Sequence, residues 1–284
     1  LGAGQGFLAD RFTYIPYFGL FFIMAWGYEE ILKRKPKSKH VIHGVLGLYL
    51  ALLTFMTFQQ SKIWENSQTL WTHVIKHYDQ ITTPWANLGH HYRDNGDFQN
   101  ALANYSKAIE LKAKPETLNS RGKLYFDNGH SQKALEDYNR AIQMGGEPKS
   151  IGEIYINRGA AIGTMGDYDK ALSDFNKGLE LLPTNPNGYS NRSMIYYARG
   201  QHDLAMKDYE SYIAINPNNA TIWFERGTVL SIQKKYSEAV SSYSRAIELN
   251  PNRRDFYQKR AEAYRALGNQ TAAQQDENKA RQLN

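Results

Sequence analysis

The chain has 284 residues, a length that suggests about two structural units. Its 34 Lys and Arg against 28 Asp and Glu leave a net charge of +6, and its hydrophobic fraction of 42% is ordinary, which excludes a disordered or collagen-like chain. The absence of cysteine excludes disulfides, thiol nucleophiles and cysteine-based zinc or iron–sulfur sites. Because the first residue is leucine, we expect a piece of a longer protein or a processed product.

The positive charge is unevenly distributed. Residues 1–61 carry six basic and three acidic residues, whereas the rest carries 28 basic and 25 acidic ones. Most of the chain is therefore close to neutral, and we expect no nucleic-acid partner.

Two uncharged stretches near the N-terminus approach the length of a membrane span, which is about 20 residues. Residues 41–61 reach that length, and residues 12–28 reach it if the span extends to Leu32, with Glu29 and Glu30 near the interface. Runs this apolar leave no polar face for water. The sequence predicts two transmembrane helices, with two buried helices of a soluble protein as the alternative.

A basic link joins the two stretches. Lys33–Lys39 holds five positive charges, which the positive-inside rule places on the cytoplasmic side. Two crossings then place residues 1–12 and everything after about residue 61 on the extracytoplasmic side. No cleavage site for a secretory signal peptide follows a single short apolar core.

The remaining residues repeat with a period near 34. A small residue and a large one three positions later recur six times, each small residue being followed by an alanine twelve positions on. The small residues are Gly89, Gly122, Gly159, Ser193, Gly227 and Ala261, and the alanines are Ala101, Ala134, Ala171, Ala205, Ala239 and Ala273.

This pattern resembles the tetratricopeptide repeat, in six copies over residues 82–284. Each copy has two stretches of helical apolar period joined by a turn, and stacked copies bury what one pair cannot. Taken with the two apolar stretches, the resemblance predicts an all-α chain: two transmembrane helices over residues 1–61, a half-repeat docking helix over residues 62–81, and a six-unit α-solenoid over residues 82–284. Trp64–Gln80 matches the second half of a repeat.

An arginine precedes the small residue in five units, and an aspartate stands sixteen positions after four of these arginines. A basic ladder for an anionic ligand is one reading, but the constant offset favours ion pairs within each repeat, worth about 0–1 kcal/mol each if exposed. The residues are Arg121, Arg158, Arg192, Arg226 and Arg260, with Asp137, Asp174, Asp208 and Asp276, and Ser242 as the fifth partner.

Two departures from the repeat are informative. The link over Met144–Glu153 is three residues longer than the others and rich in glycine, so we expect it to change the superhelix angle and to act as a hinge. Glu277 replaces the aromatic residue of the last unit, which is typical of a polar terminal cap.

The sequence offers little for catalysis or metal binding. Gly2–Gly6 lacks the Lys-Ser/Thr of a phosphate loop and is read as an ordinary loop. His73 and His77 share a helical face but have no third ligand nearby. No Ser-His-Asp arrangement can be proposed. We expect no catalytic residue, metal or cofactor in this chain.

In the tetratricopeptide family, the first helices line a groove that binds protein or peptide ligands. The resemblance places eight residues there: Asn87, His90, Arg93, Asn119, Lys123, Asn157, Asn191 and Tyr197. Asparagines suit capture of a peptide backbone, with ordinary solvated surface as the alternative. A carboxylate clamp is not predicted, because the positions that need Lys and Arg carry Ile156, Ala160, Phe224 and Thr228.

The start of the chain resembles a second family. Asp10, Arg11, Phe12, Tyr14 and Pro16 match a stretch before a late transmembrane helix in O-mannosyltransferase-like enzymes of the GT-C class that carry tetratricopeptide tails. That resemblance implies a lipid-phosphate sugar donor and a catalytic acid in an early loop absent from this chain. It leaves two roles for Arg11, contact with a lipid phosphate or an interfacial anchor with Asp10.

Two functions follow. The first is the C-terminal part of a membrane glycosyltransferase-like protein whose repeats recruit or position a protein acceptor, and which does not catalyse transfer by itself. The alternative is a non-enzymatic membrane scaffold that assembles an envelope complex. Further apolar spans upstream favour the enzyme.

Overall fold

The computed structural model describes residues 14–283, apart from the side chains of residues 14–22, 24 and 36. The described residues form fifteen α-helices and one 3₁₀ turn, with no strand among them. The chain divides into two compact units between Leu70 and Trp71. The helices are α1 Tyr14–Arg34, α2 Lys39–Ile63, α3 Ser67–His77, α4 Thr82–Asp94, α5 Phe98–Leu111, α6 Pro115–Asp127, α7 Ser131–Met144, α8 Pro148–Thr164, α9 Tyr168–Leu181, α10 Pro186–Ala198, α11 His202–Ile215, α12 Ala220–Ile232, α13 Tyr236–Leu249, α14 Arg254–Ala266 and α15 Gln270–Gln282.

The first unit holds α1 and α2, joined by the 3₁₀ turn Pro36–Ser38. Within the described range, α2 is the one helix both long and apolar enough to cross a membrane, with a mean hydropathy of 1.9 and no buried residue. Helix α1 has 21 residues but does not reach that apolarity. The second predicted span is thus supported by length and composition, whereas the first remains a prediction.

The charged end of α1 explains this difference. Glu29 pairs with Lys33 at 2.9 Å and Glu30 pairs with Arg34 at 3.0 Å, one helical turn apart in each case. These four charged residues belong to the last two turns of α1, and they lower the mean hydropathy of the helix. Mutual pairing is also how charged residues are accommodated near a membrane boundary.

The second unit contains six consecutive helix pairs, and the all-helical solenoid that the sequence predicts is confirmed. The pairs, named repeats 1 to 6, are α4/α5, α6/α7, α8/α9, α10/α11, α12/α13 and α14/α15. Each pair packs closely, and the second helix of a repeat packs on the first helix of the next. Each repeat therefore supplies part of the core of its neighbour.

A close approach of backbone to an aromatic ring explains the small residues of the period. A Cβ atom added at Gly122 would lie 2.6 Å from the Tyr138 ring, and one at Gly227 would lie 2.7 Å from the Tyr243 ring. Both tyrosines are fully buried. The small residue thus makes room for the large aromatic side chain of the second helix, as the repeat pattern predicts.

The turn inside each repeat needs a left-handed residue. Five of the six turns use glycine with φ between 68° and 86°, at Gly96, Gly129, Gly166, Gly200 and Gly268. Repeat 5 has Lys234 at this position, with φ of 60°. This conformation lowers the stability of the fold, because it brings the Cβ atom of lysine too close to the following carbonyl oxygen.

The first large residue of a repeat anchors the preceding link. Trp223 Nε1 donates to the Pro217 carbonyl at 2.8 Å, and Tyr257 donates its hydroxyl to the Pro251 carbonyl at 3.1 Å. Trp85 and Tyr189 make the same contact six residues back. These bonds satisfy carbonyls that have no partner within a helix.

The extra residues between repeats 2 and 3 do not form a longer loop. Helix α8 has 17 residues, against 13 in each other first helix, and begins at Pro148. A Cβ at Gly178 would lie 2.9 Å from the Gly152 carbonyl oxygen, so α8 and α9 pack closely along the added turn. The insertion is thus packed into the array, unlike the flexible hinge that its glycines suggest.

Upstream of repeat 1, the predicted half-repeat is shorter than the sequence match. Helix α3 begins at Ser67, and Trp64 is the C-cap of α2. Asn66 caps the start of α3 through its side-chain oxygen, which accepts a hydrogen bond from the Thr69 backbone N–H at 2.9 Å.

Candidate functional site: the inner face of the repeats

The first helices of neighbouring repeats approach one another, as in α6 with α8 and α8 with α10. They therefore line the inner face of the array, which is the face where tetratricopeptide ligands were predicted to bind. Two hydrogen bonds join α8 to α6 here: the Asn157 amide donates to Asn119 Oδ1 at 2.9 Å, and the Ser150 hydroxyl donates to Glu116 at 3.2 Å.

In repeats 1 and 5 the buried tyrosine of the second helix extends past the small residue toward this face. In repeat 1 the Tyr105 hydroxyl contacts His90 Nδ1 at 2.7 Å, and in repeat 5 the Tyr243 hydroxyl contacts Ser231 and Thr228 at 3.2 and 3.4 Å. His90 and Thr228 each follow directly after the small residue of their repeat. The phenol groups of Tyr105 and Tyr243 thus contact side chains of the first helix on the inner face.

Burial shifts the pKa of these groups. Burial raises the pKa of Tyr105 to about 12, and it lowers the pKa of His90, with a further contribution from nearby Arg93. Burial and then the Glu225 carboxylate raise the pKa of Tyr209. Glu225 belongs to the first helix of the next repeat, α12.

The arginine–aspartate pairs predicted within repeats are confirmed. Arg192 donates to both carboxylate oxygens of Asp208 at 2.8 and 2.7 Å, and Arg158 does so with Asp174 at 2.7 Å for each bond. Arg121 with Asp137 and Arg260 with Asp276 have the same geometry, whereas Arg226 donates to Ser242. The alternative of free arginines that await an anionic ligand is wrong for these four.

The strength expected for these pairs needs correction, because they are not exposed. The Asp208 side chain is 5% exposed and that of Arg192 is 17% exposed. A buried pair costs much more to break than the 0–1 kcal/mol of a surface pair, since the remaining charge is left without solvent. Burial of both partners was not visible in the spacing alone.

Each arginine also links consecutive repeats. A further guanidinium nitrogen donates to the second helix of the preceding repeat: Arg192 to Asn176 at 2.6 Å and Arg158 to Asn139 at 2.7 Å. The Arg192 guanidinium also stacks near Tyr189 and Tyr196. The ladder thereby fixes the geometry between repeats as well as within them.

Repeat 1 lacks this ladder. Leu88 stands at the arginine position and Asn104 at the aspartate position, both buried. The Asn104 side-chain oxygen has no hydrogen-bond partner within the described part of the chain. Repeat 1 therefore shows how the arginine and aspartate positions are filled when neither residue is charged.

The other predicted groove residues differ in how free they are. Arg93 pairs with Asp94 at 2.8 Å, and Lys123 pairs with Asp127 at 3.1 Å. The side chains of Asn87 and Asn191 are half-buried and make no hydrogen bond with the described residues. Tyr197 is half-buried, with its ring 5.8 Å from that of His202. Asn87, Asn191 and Tyr197 are therefore the predicted contacts most available to a ligand, whereas Asn119, Asn157 and His90 already serve the fold.

A cavity of about 250 Å³ opens between the first helices of repeats 1 and 2. It is lined by Thr82, Thr83, Ala86, His90, Lys114, Glu116 and Thr117. Polar side chains such as His90, Lys114 and Glu116 can donate or accept hydrogen bonds at its wall.

The sequence also singled out Arg11 as a contact for a lipid phosphate, and His73 and His77 as a histidine pair without a third metal ligand. The stretch with Asp10 and Arg11 lies outside the described residues, so the proposed lipid-phosphate contact is not part of this structure. His73 and His77 have ring centroids 4.8 Å apart, and the described residues contain no group of three or more His, Asp or Glu that would hold a metal.

Six stacked helix pairs with a ligand-accessible inner face define an α-helical repeat solenoid. Three family models described as tetratricopeptide or TPR repeats match residues 89–129 and 194–231, 115–144 and 152–185, and 220–253. The chain belongs to the tetratricopeptide repeat family.

Two curated relatives match part of the chain. Protein O-mannosyl-transferase TMTC3 from Homo sapiens is 25% identical over 105 residues, and Tmtc3 from Drosophila melanogaster is 23% identical over 106 residues. Each match covers 37% of this chain and 11% of the relative. The chain is thus similar to a small part of these proteins, in agreement with the glycosyltransferase resemblance seen in the sequence.

Solved structures share the fold. MamA 41-end from Desulfovibrio magneticus RS-1 has a TM-score of 0.54 at 18% identity, covering 60% of this chain and 94% of that chain. A chain of the APC/C hetero-tetramer Cut9-Hcn1 has a TM-score of 0.61 at 13% identity, covering 77% of this chain and 43% of that chain. YrrB, a TPR protein with an unusual peptide-binding site, has a TM-score of 0.50 at 19% identity, with 64% and 92% coverage.

Proposed function

We propose that this chain is a membrane-anchored interaction module whose inner face binds a peptide segment of a partner protein. We further propose that it forms the C-terminal part of a glycosyltransferase-like protein and recruits or positions a protein acceptor. The observation that carries the proposal is the inner face itself, where Asn87, Asn191 and Tyr197 are accessible beside the interlocked helices. The peptide-binding site named for YrrB and the TMTC3 similarity support it.

The membrane part of the proposal has two transmembrane helices, α1 and α2, with Lys33–Lys39 on the cytoplasmic side and the repeats on the extracytoplasmic side. The apolar surface of α2 supports it, since Leu48 is 75% exposed and Val41 is 70% exposed. Exposing such a helix to water would be unfavourable, whereas lipid solvates it. Arg11 would then lie where a lipid phosphate is within reach of its charge.

Because the chain lacks cysteine, single cysteines report topology without background. Three variants suffice: Gly4→Cys, Ser38→Cys in the basic link and Asn128→Cys in a repeat turn. With two spans, a membrane-impermeant maleimide applied to intact cells labels Gly4→Cys and Asn128→Cys but not Ser38→Cys. Labelling of Asn128→Cys alone indicates one span. Labelling of Ser38→Cys without Asn128→Cys contradicts the proposed orientation.

Photo-crosslinking tests the inner face. A benzophenone amino acid at Tyr197 should crosslink the full chain in native membranes to a partner protein, and Asn191→Ala should lower the yield. Glu136 of α7, exposed on a second helix, provides the matched control position. Asn157→Ala is a less direct test, because it also removes the bond to Asn119. Equal yields at Tyr197 and Glu136, or no crosslink at Tyr197, would contradict the proposal.

The alternative is a non-enzymatic scaffold that assembles an envelope complex through the same face. The TMTC3 similarity favours the transferase, since both relatives are named O-mannosyl-transferases. Reading the gene upstream of Leu1 distinguishes the two: further apolar spans with an acidic early loop support the enzyme, and a start codon immediately upstream supports the scaffold. A parent protein with those spans should transfer a sugar from a polyprenyl-phosphate donor.

A further inference from the structure

The inner face of repeats 4 and 5 contains an unpaired carboxylate. Glu225 stands two positions before the small residue of repeat 5, where Asn157 and Asn191 stand in repeats 3 and 4. It is half-buried in α12, and it makes no hydrogen bond or ion pair with the described residues. A partly buried charge without a partner is unfavourable and favours binding of the opposite charge.

Three cations of the next repeat, at the N-cap of α14 and along that helix, are already committed to other partners. Arg253 pairs with Asp255 at 2.6 Å, and Lys259 pairs with Glu262 at 2.8 Å. Arg265 pairs with Glu277 in the last repeat. Arg253, the cation whose charge acts on Glu225, is therefore already paired with another carboxylate.

The electrostatic surroundings agree with this placement. Burial, followed by the charge of Asp255, raises the pKa of Glu225, and Arg253 only partly opposes the shift. A cation bound to Glu225 would oppose both causes of the raised pKa. It would donate hydrogen bonds that replace those lost from water, and its charge would offset that of Asp255.

An exposed apolar side chain lies on α10, the first helix of repeat 4. Met194 is 63% exposed and occupies the position of His90 and Thr228, the residues that reach the tyrosine hydroxyl in repeats 1 and 5. Met194 follows directly after Ser193, the small residue of repeat 4, so it lies on the first helix of the repeat that precedes Glu225. A flexible, polarizable thioether adapts to apolar side chains of different shapes.

We propose that the inner face of repeats 4 and 5 binds an extended segment of a partner protein that presents a lysine or arginine to Glu225 and a neighbouring apolar side chain to Met194. This inference rests on the proposed peptide-binding function and specifies its ligand. The proposed ligand is positively charged, whereas a carboxylate clamp binds a negatively charged ligand through lysine and arginine. Two of the positions that would need those basic residues carry Ile156 and Phe224 here.

Three blocked peptides test the ligand class: acetyl-Ser-Gly-Leu-X-Leu-Gly-Ser-amide with X as Lys, Gln or Glu, each carrying a fluorophore. Their binding to the detergent-solubilised full chain is followed by anisotropy at low salt. The Lys peptide should bind about tenfold more tightly than the Gln peptide, the effect of one charged hydrogen bond, and the Glu peptide should bind least. Added salt should reduce the difference.

Glu225→Gln should abolish the preference for Lys over Gln, whereas Glu136→Gln on an exposed outer helix should retain it. Met194→Ser should weaken all three peptides equally. A Lys preference that survives in Glu225→Gln overturns the inference, as does equal binding of Lys and Gln peptides or no binding of any of them to the unmodified chain. Crosslinking from Tyr197 tests the proposed function separately, so that failure of the basic-peptide assignment and failure of the binding face are distinguishable.

Discussion

Removal of Arg192 tests how the buried ladder stabilises the solenoid. In Arg192→Leu, Asp208 loses both charge-assisted bonds, of 2.8 and 2.7 Å, while its side chain remains only 5% exposed. Leucine has no positive charge or hydrogen-bond donor for the Asp208 carboxylate. Water cannot reach that carboxylate unless the interface between α10 and α11 opens. We expect a loss of about 3–5 kcal/mol in the free energy of unfolding of this region.

Repeat 1 provides the matched control. The double variant Arg192→Leu/Asp208→Asn reproduces the natural Leu88 and Asn104 pair, which contains no charge. It should recover most of the lost stability and remain about 1 kcal/mol below the unmodified chain, because the bond to Asn176 is still missing. The large effect of the single variant would then arise from the isolated charge and not from lost packing.

Amide hydrogen exchange under increasing urea measures this locally, since repeat arrays open in regions rather than as one unit. Protection in α10 and α11 should fall strongly in the single variant and be largely restored in the double variant. If the double variant is as unstable as the single one, or if the single variant loses less than about 1 kcal/mol, the ladder does not act as a desolvated ion pair.

Two further predictions concern local strain and protonation. Lys234→Gly should raise the urea midpoint by relieving about 1 kcal/mol of left-handed strain, whereas Gly200→Lys should lower it by a similar amount; unchanged midpoints would refute the strain. Because folding lowers the pKa of His90, the unfolded chain binds its proton more readily. The stability from neutral His90 is thus fully present above its ordinary pKa, and is lost as pH falls through the lowered folded value. His90→Gln should flatten this pH dependence in urea titrations, and an unchanged slope in that variant would contradict the assignment.

Much of the fold was predictable from residue spacing. A period near 34 indicates stacked helix pairs. In each pair a small residue on the first helix makes room for a large aromatic side chain on the second, so both recur once per repeat. The sixteen-residue offset likewise predicts that Arg121 meets Asp137, because it places them on the two helices of one repeat. The predicted groove residues stay predictions, since no ligand contact tests them.

Other features depend on neighbours that spacing does not identify. The sequence indicates asparagines suited to a ligand, but the structure shows Asn157 bound to Asn119 across a repeat boundary. The glycine-rich link predicts a hinge, yet Gly152 and Gly178 allow a tightly packed extra turn. Glu225 passed unnoticed, because a glutamate on a helix is ordinary until its surroundings lack a partner.

The sequence by itself determined the repeat unit, the ion-pair partners and the apolar α2, because these depend on local period, offset and composition. Only the tertiary structure decided which polar groups remain available on the inner face and how deeply the charges are buried. The physical reason is that availability and desolvation depend on every element packed around a side chain, and in a solenoid those elements come from the preceding and following repeats.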